Sequence, residues 1–461
     1  MHYLSISDLL LPPIFIFIIL VFARNIVSKQ IEEKPEYRYF IYGLMAKIIG
    51  GILVCLVYTV YYDGGDTTVY YYSGAIPMRN LFLKSPADFL YIMSHENTIQ
   101  GYFLFDSDTL WPQYWRDSQA FFVIRFISPL ALFTFGSYLA TSVLLSVICY
   151  TGIWRLYLVF TDAFPKLKKE LAISILFMPS VIFWGSGILK DSISLAAIGW
   201  FVYGFYFGMV KGEKIFWHII LAALASFVII SVKPYILYAL IPGSLVWLTG
   251  NISNKIESKF FRRLTIPLMF TISIGSGYFI LSSLGSQLGK FSINSLLERA
   301  VITQQDLKKD YYGGHSFDIG DFEATPTGIL KKFPIAVSSG LFRPFLWEAR
   351  NPMMLVSALE NAYILYLTVM ILLRMPFRRI TQIIGSNQLL VFSLLFAVFF
   401  SFSVGLTTSN FGALVRYRIP SLPFFVSALL IVRSTNRNML LPEAEFTEEE
   451  SESTQVNLIP A

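Results

Sequence analysis

About eleven apolar stretches run through this chain, at residues 9–22, 39–62, 137–160, 171–187, 192–210, 215–232, 235–249, 265–284, 353–373, 389–404 and 419–432, and most approach the roughly 20 residues that cross a bilayer core as helix. Composition excludes the alternative of a large soluble core: 55% of the 461 residues are hydrophobic, 16% aromatic and only 14% charged, a balance that an ordinary soluble domain does not reach. The predicted fold is therefore all-α, a polytopic membrane protein. Its membrane domain covers residues 1–433, with long loops at 63–119 and 285–352 and an acidic, disordered tail over 434–461 that carries Glu443, Glu445, Glu448, Glu449, Glu450 and Glu452. Met1 to Asp8 holds no basic segment and no small-residue cleavage site follows, so the first apolar stretch is read as a retained membrane helix.

The basic residues set the orientation. They gather at 24–38, at Lys166, Lys168 and Lys169, at Lys211 and Lys214, at 255–263, at 374–379, and at Arg433 with Arg437. All fall on one side, the cytoplasmic one by the positive-inside rule, provided that 120–135, with Arg125 and Pro129, lies in the interface or re-enters instead of crossing. The N-terminus and both long loops are then extracytoplasmic. The net charge of +6 is spent on these loop clusters, which leaves no reason to expect nucleic acid. Cys55 and Cys149 both sit in apolar stretches, and His2, His95, His218 and His315 are scattered, so neither a disulfide framework nor a histidine metal site is indicated.

Against that topology, one group of polar residues stands out. Asp63 and Asp66 occur in Tyr61-Tyr-Asp-Gly-Gly-Asp-Thr-Thr-Val-Tyr70, where the 39–62 stretch ends, and carboxylates at a helix mouth suggest a site facing the aqueous boundary. A continuing helix would set Asp63, Asp66 and Tyr70 on one face. Lys190 with Asp191, Lys233, Arg343, Glu348, Arg350, Arg416 and Arg418 all fall on the same outer side. Cations there run against the loop bias, and an anionic ligand would account for them. Pro179, Gly185 and Gly187 interrupt the chain before Lys190, as in broken helices that line cavities. Arg416-Tyr-Arg-Ile-Pro420 places two guanidiniums two residues apart, aimed alike if extended, which suits diphosphate. Glu360, in the outer half of 353–373, is expected to pair with an outer arginine, and the glycine-rich run 312–321 is read as a surface loop that serves an acceptor.

An acidic motif in the first long outer loop, amphipathic segments after it over 85–115, and a late Arg-Tyr-Arg-Ile-Pro element together resemble the GT-C superfamily of membrane glycosyltransferases. The run Gly64-Gly-Asp-Thr-Thr-Val-Tyr70 is also similar to a pattern of EpsG and Wzy type polysaccharide polymerases. The GT-C resemblance implies a bacterial cytoplasmic-membrane enzyme of cell-surface glycan assembly with an extra N-terminal helix and an extracytoplasmic site. Its donor would be a sugar on a polyprenyl phosphate or diphosphate, its acceptor a glycan or another hydroxyl compound. Asp66 would be the general base, and Asp63 would orient the acceptor or join Asp66 on a divalent metal, Mg or Mn. Lys190, Lys233, Arg343, Arg416 and Arg418 would bind the donor phosphate, with Tyr70, Asp191, Glu348 and Glu360 in support. A transporter of lipid-linked glycans also uses broken helices and intramembrane charges, but here the charges sit on one face and no internal repeat is seen.

Overall fold

The computed structural model describes residues 3–254, 302, 317–320, 323 and 325–440. The expected span at 265–284, the basic cluster at 255–263, half of the 285–352 loop including 312–316, and the tail from 441 lie outside the described residues, whereas 434–440, expected to begin the disordered tail, continue the helix Leu422–Leu440. What is described is helical, without strands. Among the described residues seven helices are long and apolar enough to cross a membrane: Ile6–Gln30, Pro35–Tyr61, Tyr138–Ala163, Lys190–Val210, Ile215–Val232, Pro352–Arg374 and Gln388–Thr407. Phe411–Tyr417 and Leu422–Asn436, bent by 67°, would make an eighth. The chain is a multi-pass membrane protein. Its peripheral helices display apolar side chains outward, among them Phe17 and Phe22 on the first and Phe216, Trp217 and Phe227 on Ile215–Val232, which only a lipid surround makes favourable.

Contacts between helices fix which ends lie together. Asp8 Oδ1 accepts hydrogen bonds from Ser137 Oγ at 2.8 Å and Leu139 N at 2.9 Å, so Ile6–Gln30 and Tyr138–Ala163 start side by side. The Phe40 carbonyl receives the Tyr150 hydroxyl at 2.7 Å while Gly51 lies against Ser142 and Ser146, so Pro35–Tyr61 runs the opposite way. At the far end, Glu36 pairs with Lys168 at 3.3 Å, Asp162 with Lys211 at 2.8 Å, and Glu170, Arg374 and Arg433 border one cleft. The basic loop residues that are described thus gather at one end, and the Asp66 region at the other.

The Ser118–Phe133 helix does not cross. Asp117, just before it, meets Lys190, and Ser137, just after it, meets Asp8, both at the Asp66 end. The reading of 120–135 as interfacial or re-entrant agrees with this. The first long loop folds into the short helices Ile76–Lys84, Pro86–Ser94 and Ile99–Tyr102.

The expected span 235–249 is the helix Tyr235–Asn254, which is not among the seven candidates for crossing, and two further expected spans are not straight helices. Residues 171–187 form Lys168–Ile175 and Pro179–Phe183 with a turn between, since Pro179 cannot donate to a continuing helix and suits a first helical turn. Lys47, buried in the middle of Pro35–Tyr61, donates to the carbonyls of Val181 at 2.9 Å and Gly185 at 2.7 Å, which would otherwise be unpaired. The 419–432 stretch joins the bent pair. Close helix contact sets the depth of the site: a Cβ on Gly152 would stand 2.0 Å from the Ala196 carbonyl oxygen, and one on Gly199 2.0 Å from that of Gly152. With Ala196 beside Gly152, Lys190 begins its helix about 12 Å below the start of Tyr138–Ala163, at 1.5 Å per residue. The end that carries Asp66 is therefore recessed.

Candidate functional site

The helix of Pro35–Tyr61 does not continue through the aspartates. It closes in a π-helical turn at Val57–Tyr61, and the chain reverses through Asp63, Gly64 and Gly65, with φ of 50°, 128° and 131°. Gly65 lies on the Tyr58 ring, where a Cβ would stand 2.7 Å from a ring carbon. A side chain there meets both a disfavoured φ and a clash. Asp66 then opens the short helix Asp66–Tyr70, which a second π-helical turn follows at Tyr71–Ala75. The expected shared face for Asp63, Asp66 and Tyr70 is not formed, because the glycine turn separates Asp63 from the other two. Asp63 is exposed, and its carbonyl accepts from the Tyr3 hydroxyl at 3.4 Å.

Asp66 meets Arg416. One guanidinium nitrogen lies 2.8 Å from Asp66 Oδ2 and 3.4 Å from Asp191 Oδ2, and the other donates to the Tyr58 hydroxyl at 3.0 Å. Asp191 is 1% exposed and also holds Lys233, with Nζ 2.5 Å from its Oδ1. Lys233 Nζ lies 4.7 Å from the centre of the Tyr417 ring, and the Arg416 guanidinium 5.8 Å from that of Trp184. Lys190 reaches Asp117 at 3.5 Å. Lys190, Lys233 and Arg416 thus face Asp66, Asp117 and Asp191, and the cluster is balanced in charge, as ions removed from bulk water must be. The exposed carboxylates of the cluster are Asp117, at 49%, and Asp66, at 39%. Tyr70, one turn on, is buried against Tyr114, with ring centres 5.3 Å apart. Burial, then the Asp66 charge, push the Tyr70 phenol well above its usual range, so it stays protonated at neutral pH.

Two clefts flank the cluster. One, of about 1060 Å³, belongs to the first long loop and is bordered by Glu96, Tyr102, Tyr114, Trp115, Arg116 and Asp117. The other, of about 610 Å³, is bordered by Tyr61, Tyr62, Trp184, Arg350, Met353 and Met354. Asp117 and Tyr114 connect the first cleft to Lys190 and Tyr70. Trp184 connects the second to Arg416.

Other expected site residues lie apart. Arg418 is fully buried and donates to the carbonyls of Leu341 at 3.3 Å and Arg343 at 2.9 Å and to the Asn361 side chain. Arg416 and Arg418 do not point alike, because Asn410 caps the helix Phe411–Tyr417 and the segment is not extended. Arg418 holds the 341–343 backbone, and burial, which leaves its Nε without a hydrogen-bond partner, keeps the guanidinium from a ligand in the recess. Arg343 pairs with Glu348 at 2.8 Å and covers Phe317 at 4.9 Å. Neither Arg343 nor Glu348 bonds through its side chain to the Asp66 cluster. Glu360 lies within electrostatic reach of Arg418, as expected of it, but makes no direct ion pair: it accepts from the backbone N–H of Ser180 at 2.8 Å, at the start of Pro179–Phe183, while its neighbour Asn361 takes the Arg418 hydrogen bond. Among the described residues no group of at least three His, Cys, Asp or Glu converges as a metal site.

Sequence reasoning passed over Lys47, Tyr58, Asp117 and Trp184. Only Lys47 carried a local signal, a lone cation within an apolar run; the others join the site through contacts between distant segments. Compared with family models, curated proteins and solved structures, the chain matches none.

Proposed function

We propose that the chain is a membrane glycosyltransferase that moves a sugar from a polyprenyl phosphate or diphosphate to an acceptor hydroxyl on the extracytoplasmic face, in cell-surface glycan assembly. The observation that carries the reading is Arg416 between an exposed carboxylate, Asp66, and a buried one, Asp191, in a recess with a cleft on either side. The extracytoplasmic assignment follows from the basic loops at the opposite end.

Asp66 takes the proton of the acceptor hydroxyl, whose oxygen bonds to the anomeric carbon as the bond from that carbon to the phosphate oxygen breaks. The charge that develops on the departing lipid phosphate is met by Arg416 and Lys190. In the resting chain these cations are held by Asp66 and Asp117; an arriving phosphate competes for them and leaves Asp66 to the acceptor. Asp191 and Lys233 keep Arg416 in place from below. The cleft of the first long loop suits a sugar acceptor, since Tyr102, Tyr114 and Trp115 offer ring faces beside the polar Glu96 and Arg116. Asp66 and Asp63 would be the carboxylates available to a divalent ion, but the partner found for Asp66 is a guanidinium.

The alternatives are an EpsG or Wzy type polymerase, favoured by the run Gly64 to Tyr70, and a lipid-linked glycan transporter, for which an ion cluster gathered at one end, with Lys47 tied to backbone carbonyls, is a poor arrangement. Mass spectrometry of lipid-linked and surface glycans, in cells deleted for the chain and complemented with wild type or Asp66→Asn, separates them. The expected result is an unextended acceptor and loss of transfer of roughly 10²-fold or more for Asp66→Asn, with normal insertion. Accumulation of complete repeat units on lipid would select the polymerase, and near-wild-type glycans with Asp66→Asn would remove the base.

A further inference from the structure

We propose that the cleft of Tyr61, Trp184, Arg350 and Met353 is a lateral port for a prenyl phosphate, in which Arg350 is the first cation to meet the phosphate. Among the described residues Arg350 is exposed and makes no hydrogen bond, ion pair or ring contact. The cations of the neighbouring cluster are all committed to carboxylates. A ligand anion arriving here therefore meets an unpaired guanidinium before it has to displace a paired one. Arg350 offers a planar fork of donors that matches phosphate oxygens.

The walls say what is attached to the anion. Tyr61, Tyr62, Met353 and Met354 border the cleft, and the two helices that supply them turn apolar faces outward on both sides of it. On Pro35–Tyr61 these are Leu53 and Val60, and on Pro352–Arg374 they are Leu355, Val356 and Leu359. The cleft thus opens between two lipid-facing surfaces, so a hydrocarbon tail can stay in the bilayer while its head reaches the protein. Inward, Trp184 forms the boundary with Arg416, and Val415, which directly precedes Arg416, lines the cleft as well. The phosphate can pass from Arg350 to Arg416 without leaving the recess. The cleft of the first long loop also carries an arginine, Arg116, but its border comes from 96–118 and Arg125 rather than from membrane-spanning helices, which fits a water-borne ligand.

Naming the lipid as the sugar donor rests on the proposed function; binding of a prenyl phosphate does not. The test uses the full chain in nanodiscs and a farnesyl phosphate that carries a photoreactive group on its tail, with crosslinks mapped by mass spectrometry. The expected crosslinks fall at Val60, Met353, Leu355 or Val356. Arg350→Gln weakens capture about tenfold or more, as expected for a lost charged hydrogen bond, and Arg350→Lys restores part of it. Unaltered capture by Arg350→Gln, or crosslinks at other helices, would overturn the proposal. Competition by inorganic phosphate as strong as by farnesyl phosphate would make the site one for a soluble anion. Equal competition by phosphatidylglycerol would make it an ordinary lipid site, and either result also overturns the proposal. If farnesyl phosphate binds here and wild type transfers no sugar, the glycosyltransferase reading fails while this one stands.

Discussion

Asp191 anchors the cations of the recess from a position that solvent hardly reaches. Its two oxygens are divided between Lys233 and Arg416, so Asp191→Ala leaves Lys233 facing a low-dielectric interior without a counter-charge and Arg416 with Asp66 alone. Breaking a buried ion pair in this way costs roughly 3–5 kcal/mol. The expected outcome is a lower midpoint of thermal unfolding in detergent and reduced yield of monodisperse protein. Partial recovery in the double variant Asp191→Asn with Lys233→Met is expected, since that removes both members of one pair. Equal melting of Asp191→Ala and wild type would mean that the triad adds nothing to stability. Arg418, two residues beyond Arg416, shows how little residue type says about role. The same guanidinium that at 416 faces carboxylates in the recess is at 418 buried among backbone carbonyls.

At the scale of elements, the recess depends on how closely two helices approach. Gly152 and Gly199 let Tyr138–Ala163 and Lys190–Phe205 touch through their backbones, a contact that membrane helices use because dispersion replaces the hydrophobic effect between them. Gly152→Val would place carbon within 2.0 Å of the Ala196 carbonyl and push the helix that starts with Lys190 and Asp191 away. Overpacking of this kind costs about 1–3 kcal/mol or more, and because it moves Asp191 relative to Arg416 it should lower transfer more than stability alone accounts for. Gly385→Ala, where nothing lies within 4 Å of the added Cβ, is the matched control and should melt like wild type. If Gly152→Val keeps wild-type melting and wild-type transfer, the close contact does not position the site. The broken segment 176–189 depends on the same logic in reverse: Pro179 ends one helix, and Lys47 and Glu360 satisfy the backbone groups that the break exposes.

For the whole molecule, the basic end and the recessed end predict a definite labelling pattern. Cys55 and Cys149 are buried, so a single introduced cysteine reports its own side. Arg116→Cys should react with a membrane-impermeant maleimide in intact cells, and Arg378→Cys only after permeabilisation; the reverse pattern would invert the topology and move the site to the cytoplasm. That the chain is built of membrane helices was readable because the signals are local, apolar length and basic residues at the ends, but their bounds were not: the stretch 9–22 lies within Ile6–Gln30, and 171–187 is divided at Pro179. The roles of charged residues were readable only in part. Asp66, Lys190, Asp191, Lys233 and Arg416 were expected on one side and are found together, but Arg343, Glu348, Glu360 and Arg418 were expected there too and serve the backbone or one another. Tyr58 and Arg416 are 358 positions apart and hydrogen-bonded, and no spacing rule reaches that far. The sequence alone determined that this chain folds as membrane helices and at which end the described basic loops gather, since transfer to lipid and charge bias act on short segments one at a time. Which cation faces a carboxylate, which one a carbonyl, and which one is left unpaired was decided by tertiary packing, because burial leaves a charge only the partners that neighbouring helices bring within reach.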